Sequence, residues 1–157
     1  MRLESSKNQP RAKTKKTKTS MEFVLPLGGL ILPFFVWIIE IVFPYPYIIE
    51  ELGKTIFVVI AWQIPRQINQ IKVTALMAFF FAFSESIFYL FRLSFNGTLQ
   101  IFFLRLLLTT LLHTTTSLLI LLPTLKNKKF ILVSLPLAVG VHYLYNYFVP
   151  FLNLSPF

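Results

Sequence analysis

Three charged residues within one apolar run are the first candidates for catalysis in this sequence. Glu50 and Glu51 are adjacent and Lys54 follows them, within a stretch, 45–64, that is otherwise mostly apolar. A charge at the centre of a bilayer costs about 2.5–3.5 kcal/mol on insertion scales. Charges at such a depth are kept where the protein uses them, so this stretch predicts a buried polar site.

Further residues of catalytic type occur in three later apolar segments. They are Glu85 in 73–95, His113 in 99–122, and His142 with Asn146 in 130–152. At a helical rise of ~1.5 Å per residue, each falls in the outer to middle depth of its segment. Helix–helix hydrogen bonding explains one buried histidine equally well, but it does not explain carboxylates and imidazoles on four segments. We therefore expect these residues to converge with Glu50 and Glu51 on one pocket.

Helical spacing groups the polar side chains into faces. Glu50 and Lys54 are four positions apart, so we expect them to pair, which lowers the cost of burying either one. His142 and Asn146 have the same spacing. A single polar stripe in the fourth apolar segment contains Arg105, Thr109, His113, Thr116 and Ser117. Glu40 lies at the far end of the first apolar segment, and we interpret it as interfacial rather than catalytic.

The inventory of reactive groups indicates hydrolysis by an activated water molecule. The chain has no cysteine, no HExxH and no GxSxG, which argues against thiol, zincin and serine hydrolases. Two mechanisms stay open. In one, a glutamate is the general base while the histidines and the asparagine stabilise the oxyanion. In the other, Glu85, His113 and His142 hold a divalent metal, zinc, and Glu50 or Glu51 takes the proton from its water.

The elements that must position these groups are transmembrane helices. The 157 residues are 55% apolar and only 13% charged, whereas soluble domains are about 25% charged. Because one span takes ~20 residues, we predict an all-α, polytopic transmembrane helical bundle of about five spans. It forms a single domain over 21–157. The predicted spans are 23–43, 46–64, 73–95, 99–122 and 130–152.

The basic residues predict the topology. Seven of the fifteen Lys and Arg residues lie in 1–20, which we predict to be a disordered cytoplasmic arm. The basic loops at Arg66 with Lys72 and at 126–129 lie on the same side as the arm if all five segments cross. A re-entrant second segment would place 126–129 outside. The N-terminus is therefore predicted to be cytoplasmic, and the charge of the arm points to topology rather than to nucleic acid.

Four motifs resemble those of the PrsW-type intramembrane proteases. The matching stretches are 50–54 (EExxK), 81–85 (FxxxE), Arg105 followed by His113, and 142–146 (HxxxN-type). They occur in the family's order on successive apolar segments, and the resemblance covers about 48–148. It implies membership of the wider group that includes the CAAX-prenyl proteases and the bacteriocin-processing proteins.

The resemblance also implies roles for individual residues. Glu50 would be the general base, supported by Glu51. Glu85 and His113 would bind or position the water or metal. His142 and Asn146 would stabilise the oxyanion, or His142 would instead be a metal ligand. Lys54 and Arg105 would support this site. The expected function is an intramembrane endopeptidase that cleaves a membrane-associated protein or peptide.

One other function class fits the same side chains. Buried Glu and His sets also occur in proton-linked transport, so the alternative is a non-enzymatic polytopic protein, either a small transporter or an immunity-type binder. The absence of an internal repeat argues against transport. Either way we expect a multi-pass integral membrane protein, in the cell membrane if the source is a prokaryote, with the bilayer as its surroundings. No nucleic-acid partner and no particular oligomeric state are predicted.

Overall fold

The protein is a bundle of α-helices. A computed structural model describes residues 10–92 and 99–152, and these ranges contain no strand. The helices are α1 (Pro10–Glu40), α2 (Pro46–Ala61), α3 (Gln67–Arg92), α4 (Leu99–Lys126) and α5 (Ile131–Phe148), with short 3-10 turns at Lys128–Phe130 and Val149–Leu152. The predicted all-α helical bundle is confirmed.

Helix α1 begins earlier than the first predicted span. Its backbone is helical from Pro10, so the helix that contains the first span begins within the basic arm. Lysine is a good helix former, and lengthening an existing helix is much easier than nucleating a new one. For 1–9, which lie outside the described residues, disorder stays a prediction.

Within 10–92 and 99–152, four helical stretches are long and apolar enough to cross a membrane. They are Met21–Glu40, Gln67–Phe88, Leu99–Lys126 and Lys128–Phe148. The segment predicted as the second span, 46–64, is helical only from Pro46 to Ala61. Its 16 residues reach about 24 Å, less than the ~30 Å of the hydrocarbon core. The cytoplasmic N-terminus, which assumed five crossings, stays a prediction.

Helix α2 is the centre of the bundle, because it packs against each of α1, α3, α4 and α5. It is turned so that its charged side chains face inward. Glu51 and Lys54 are fully buried, while Ile56, on the other face, is 62% exposed. This orientation is the reverse of that in a water-soluble protein, and it keeps the charges away from lipid.

Apolar packing holds the second half of α2. Val58 packs with Ile120, Leu121 and Ala138 of α4 and α5 in one cluster. A second cluster joins Ala61 and Ile64 to Leu25 and Val73. Because both clusters lie towards the end of α2, they leave its first half, 46–54, to the polar residues.

A close approach of α1 to α3 completes the frame. A Cβ atom at Gly29 would overlap the backbone carbonyl of Met77, so only glycine lets the two backbones come this near. At the next residue of α1, the backbone carbonyl of Leu30 accepts a hydrogen bond from the hydroxyl of Ser84, at 2.9 Å. This contact places α1 beside Glu85 of α3.

Candidate active site

Lys54 is the buried cation of the site, and all of its hydrogen-bonding capacity is used. Its Nζ donates to Oε1 of Glu51 at 2.5 Å and to Oγ1 of Thr116 at 2.9 Å. The third neighbour is Nδ1 of His113, at 2.9 Å. The spacing of four had predicted a pair with Glu50, but the ion pair forms with Glu51, three positions away, because that side of α2 faces α4.

His113 receives its orientation from two sides. Lysine has donors only, so Nδ1 of His113 must accept from Lys54, which leaves the ring proton on Nε2. Nε2 then donates to Oε2 of Glu85, at 2.5 Å. The ring of Phe81 lies 4.7 Å from the imidazole and covers it. His113 is fully buried, and the side chain of Glu85 is 30% exposed.

His142 is oriented by Glu51. Its Nδ1 donates to the same carboxylate oxygen that accepts from Lys54, at 2.8 Å. Nε2 therefore keeps its lone pair and points away from Glu51. A carboxylate that receives the rear N–H of an imidazole is the usual support of a metal-binding histidine.

Glu50 lies between the two imidazoles. Its Oε2 is 3.8 Å from Nε2 of His113 and 3.8 Å from Nε2 of His142. The same oxygen is buried and has no hydrogen-bond partner among the described residues. The three possible ligand atoms of Glu50, His113 and His142 all lie within 4.8 Å of one another. Two histidines and one glutamate are the protein ligands of many catalytic zinc sites.

The donor atoms of Glu50, His113 and His142 differ in how readily they could bind a metal ion. The buried, unpartnered oxygen of Glu50 and the lone pair of His142 suit an ion directly. His113 can ligate as a neutral imidazole only after its proton moves from Nε2 to Nδ1, which requires Lys54 to stop donating to Nδ1. The sequence had assigned Glu85 to the metal, but in this structure Glu85 accepts from His113 and lies outside the group. The residues present fit an ion.

A cavity of about 370 Å³ opens in front of this group. The predicted residues that line it are Glu50, Glu85, Arg105, His142 and Asn146. Aromatic and aliphatic side chains form the remaining wall, with Val36 and Trp37 on α1 and Phe88 on α3. The other predicted residues, Glu51, Lys54 and His113, lie behind this front layer. Adjacent helix positions differ by ~100°, which is why the two glutamates fall in different layers.

Comparison with known proteins identifies the family. A family model described as "PrsW family intramembrane metalloprotease" matches residues 31–157. The chain belongs to this family. The match contains every residue of the site described above, and it agrees with the resemblance of the four sequence motifs. No significant match was found among curated proteins or among solved structures.

Membership of the PrsW family decides between the two function classes. The family consists of intramembrane proteases, so the chain is a membrane-embedded peptidase and the transporter or binder alternative loses its support. Four helices of the described chain are long and apolar enough to cross a membrane, and together with the family they make it an integral membrane protein. The predicted recognition, enzyme class and membrane setting are confirmed, and the cell membrane as its location stays a prediction.

One residue of the PrsW-family cavity was missed in the sequence. Glu40, interpreted as interfacial, lines the same cavity as Glu50 and Glu85. The signal was its position just before the Pro44–Pro46 turn, which folds the end of α1 back over the start of α2. Periodicity gives the face on which a residue lies but not which helix that face meets.

Proposed function

We propose that this chain hydrolyses a peptide bond of a membrane-associated protein or peptide in the cavity beside Glu50. The observation that carries the proposal is the buried group of Glu50, His113 and His142 at the wall of a cavity of about 370 Å³. A second carboxylate, that of Glu85, borders the same space. Hydrolysis needs such a place, where water and a carbonyl group meet a base and an electrophile away from bulk solvent.

Glu50, His113 and His142 would hold a divalent metal, and the mixed nitrogen and oxygen donors favour zinc. When bound, such an ion supplies a Lewis acid for the carbonyl oxygen and makes water a better nucleophile. The support is the oxygen of Glu50, which is buried 3.8 Å from both imidazoles and has no hydrogen-bond partner in the described chain.

Glu85 is proposed as the general base. Its side chain is 30% exposed and lines the cavity, so water in the cavity can reach its carboxylate. It takes a proton from the attacking water and returns it to the leaving amine. This assignment exchanges the roles that the resemblance implied for Glu50 and Glu85. The reason is burial, since Glu50 is 7% exposed and sits between the histidines.

Glu51 and Lys54 are positioning residues in this proposal. Glu51 holds the rear nitrogen of His142, and Lys54 holds the rear nitrogen of His113. Neither side chain lines the cavity. Both act by keeping the Nε2 atoms of the two rings on the cavity side.

Asn146 and Arg105 complete the front of the site. Asn146 follows His142 by one helical turn and lines the cavity, so its amide can donate to the carbonyl oxygen as negative charge develops there. Arg105 brings a permanent positive charge to the same wall. That charge favours the ionised form of a nearby carboxylate and draws the electron-rich carbonyl of the peptide into the cavity.

A pair of isosteric variants tests these roles. The chain is purified, reconstituted in liposomes with a mixture of single-span peptides, and the products are identified by mass spectrometry. Glu85→Gln should lower cleavage at least about a hundredfold and keep the bound metal, because only proton transfer is lost. Glu50→Gln should lose both metal and cleavage. Elemental analysis of the same samples reports the metal.

A matched control comes from the other end of the membrane-spanning stretch of α1. Glu22 is also a membrane-boundary glutamate, and it accepts a hydrogen bond from Asn69 at 2.9 Å, away from the cavity. Glu22→Gln should cleave as well as the parent chain. Cleavage that survives in both Glu50→Gln and Glu85→Gln would refute the proposal, and metal loss in Glu85→Gln alone would return the two glutamates to the roles implied by the motifs.

A further inference from the structure

A second, smaller cavity adjoins the first at the turn between α1 and α2. Its volume is about 260 Å³, and it is lined by Trp37, Glu40, Ile41, Phe43, Pro44 and Pro46. Trp37, Glu40 and Pro46 also line the larger cavity. A peptide lying in the larger cavity can therefore place one side chain in the smaller cavity.

The walls of the smaller cavity have the chemistry that binds cations. Glu40 is the charged side chain among its lining residues, and the indole of Trp37 and the ring of Phe43 stand beside it. A carboxylate attracts a cationic donor by a charge-assisted hydrogen bond, and aromatic faces attract the same cation through their π-systems. Arg105 lines the larger cavity but not the smaller one.

The aromatic wall is held in place by its neighbours. The indole of Trp37 stacks on Phe88, with centroids 6.4 Å apart and planes at 23°. Phe88 in turn meets Phe34 edge-on at 4.3 Å. Because Phe88 lines the larger cavity, one aromatic stack forms part of the boundary of both spaces.

The smaller cavity lies where a membrane segment ends. The apolar stretch of α1 that is long enough to span the membrane runs from Met21 to Glu40, so Glu40 marks its boundary. Where a lysine or arginine flanks a membrane segment, its long stem lies along apolar surface while the charged head reaches polar surroundings. The side chains of Ile41, Phe43 and Pro44 offer such a surface beside Glu40.

We propose that the smaller cavity is a specificity subsite for a lysine or arginine side chain of the substrate. The substrate would be a membrane-anchored peptide with a basic residue next to its apolar segment. This inference rests on the proposed function for its use in catalysis, but the binding itself does not need cleavage. Glu40 supplies the counter-charge, and the rings of Trp37 and Phe43 enclose the cation.

Binding of two matched peptides tests the subsite without catalysis. The probes are fluorescent apolar peptides of one span length that end in lysine or in its uncharged isostere norleucine. They are titrated against the full chain in detergent micelles, and anisotropy reports binding. The lysine peptide should bind about tenfold more tightly, the size expected of one hydrogen bond between charged groups. Equal affinity for the two peptides would overturn the proposal.

Variants of Glu40 connect that preference to the cavity. Glu40→Gln should abolish the preference for lysine, and Glu40→Lys should reverse it in favour of a peptide that ends in glutamate. Glu22→Gln, at the opposite end of the same span, should keep the tenfold preference. A lysine preference that persists in Glu40→Gln would show that another group binds the cation and would overturn the proposal.

A cleavage assay separates this inference from the proposed function. When the peptide mixture is digested in liposomes, a basic residue should recur at one fixed distance from the cleaved bond. This recurrence should be absent from the products that Glu40→Gln still forms. Lysine-selective binding by a chain that cleaves nothing would support the subsite and contradict the proposed function. Cleavage without a preference for basic residues would support the proposed function and contradict the subsite.

Discussion

The two layers of the site differ in the hydrogen bonds of their glutamates. In the rear layer, Oε1 of Glu51 accepts from Lys54 and His142, and Lys54 also has acceptors on His113 and Thr116. In the front layer, the side chain of Glu50 makes no hydrogen bond to another described residue, and each glutamate has one buried oxygen, Oε2, without a partner there. Both layers begin from the same pair of adjacent glutamates. Satisfied groups stabilise the fold, whereas a buried unsatisfied group costs about 1–3 kcal/mol and persists where function requires it.

These different contacts of the two adjacent glutamates assign different roles to them, although both belong to the EExxK motif. Glu51 contacts two charged or ionisable partners and does not reach the cavity. Its loss should therefore mainly reduce the stability of the fold and disturb the orientation of His142. The side chain of Glu50 makes no hydrogen bond to another described residue and lines the cavity, so its loss should mainly affect the chemistry. Four substitutions in the two layers test this division, in order of decreasing expected effect.

Lys54→Met should give the largest loss of stability. Lys54 is fully buried, and its removal leaves the carboxylate of Glu51 without its counter-charge in an apolar interior. Removing one partner of a buried ion pair costs about 3–5 kcal/mol. The midpoint of unfolding, in a denaturing-detergent titration, should fall accordingly.

A double variant checks that the lost stability belongs to the pair. Lys54→Met combined with Glu51→Gln removes both charges, so most of the lost stability should return. If the double variant is as unstable as the sum of the two single variants, the pair is not the reason for the effect.

Glu51→Gln should weaken metal binding by about 10–100-fold, the usual effect of losing a group that orients a ligating histidine. The amide can still contact Nδ1 of His142, but it no longer attracts that proton as a carboxylate does. Competition with a zinc chelator measures the change. Unaltered affinity would mean that His142 does not need Glu51 for its orientation.

Most of the division of the site into a rear and a front layer could not be predicted from the sequence. Charges inside apolar runs predicted that residues from four segments share one site, and the structure brings those residues together. The predicted pairing of Lys54 with Glu50 was wrong. A spacing of four places the two residues on one face of α2, but it does not indicate which face packs against α4. The rotation of α2 is decided by packing further along, where Val58 meets Ile120 and Leu121.

The length of α2 and the place of Glu40 were missed for a related reason. Hydropathy predicted a span at 46–64, whereas α2 ends at Ala61 and packs against α1, α3, α4 and α5. Glu40 was assigned to the interface from its depth in the sequence. Depth along one helix contains no information on the turn that brings the start of α2 alongside it.

Thr116→Val should cost about 1.5 kcal/mol, because it removes one acceptor of the buried ammonium of Lys54 and keeps the shape of the side chain. The adjacent Ser117 is an internal control. Its hydroxyl is also buried but has no hydrogen-bond partner in the described chain, so Ser117→Ala should leave stability unchanged or raise it slightly. Equal losses in both variants would mean that the bond to Lys54 contributes nothing.

Glu50→Gln should have the smallest effect on stability, and of the opposite sign. In metal-free protein the substitution removes a charge that is 7% exposed and has no hydrogen-bond partner among the described residues. It also supplies an amide that can bond the imidazoles 3.8 Å away. We expect the unfolding free energy to stay level or to rise by up to about 1 kcal/mol, while metal binding disappears. A loss as large as that in Lys54→Met would place Glu50 in the structural layer, and the two glutamates would then share one role.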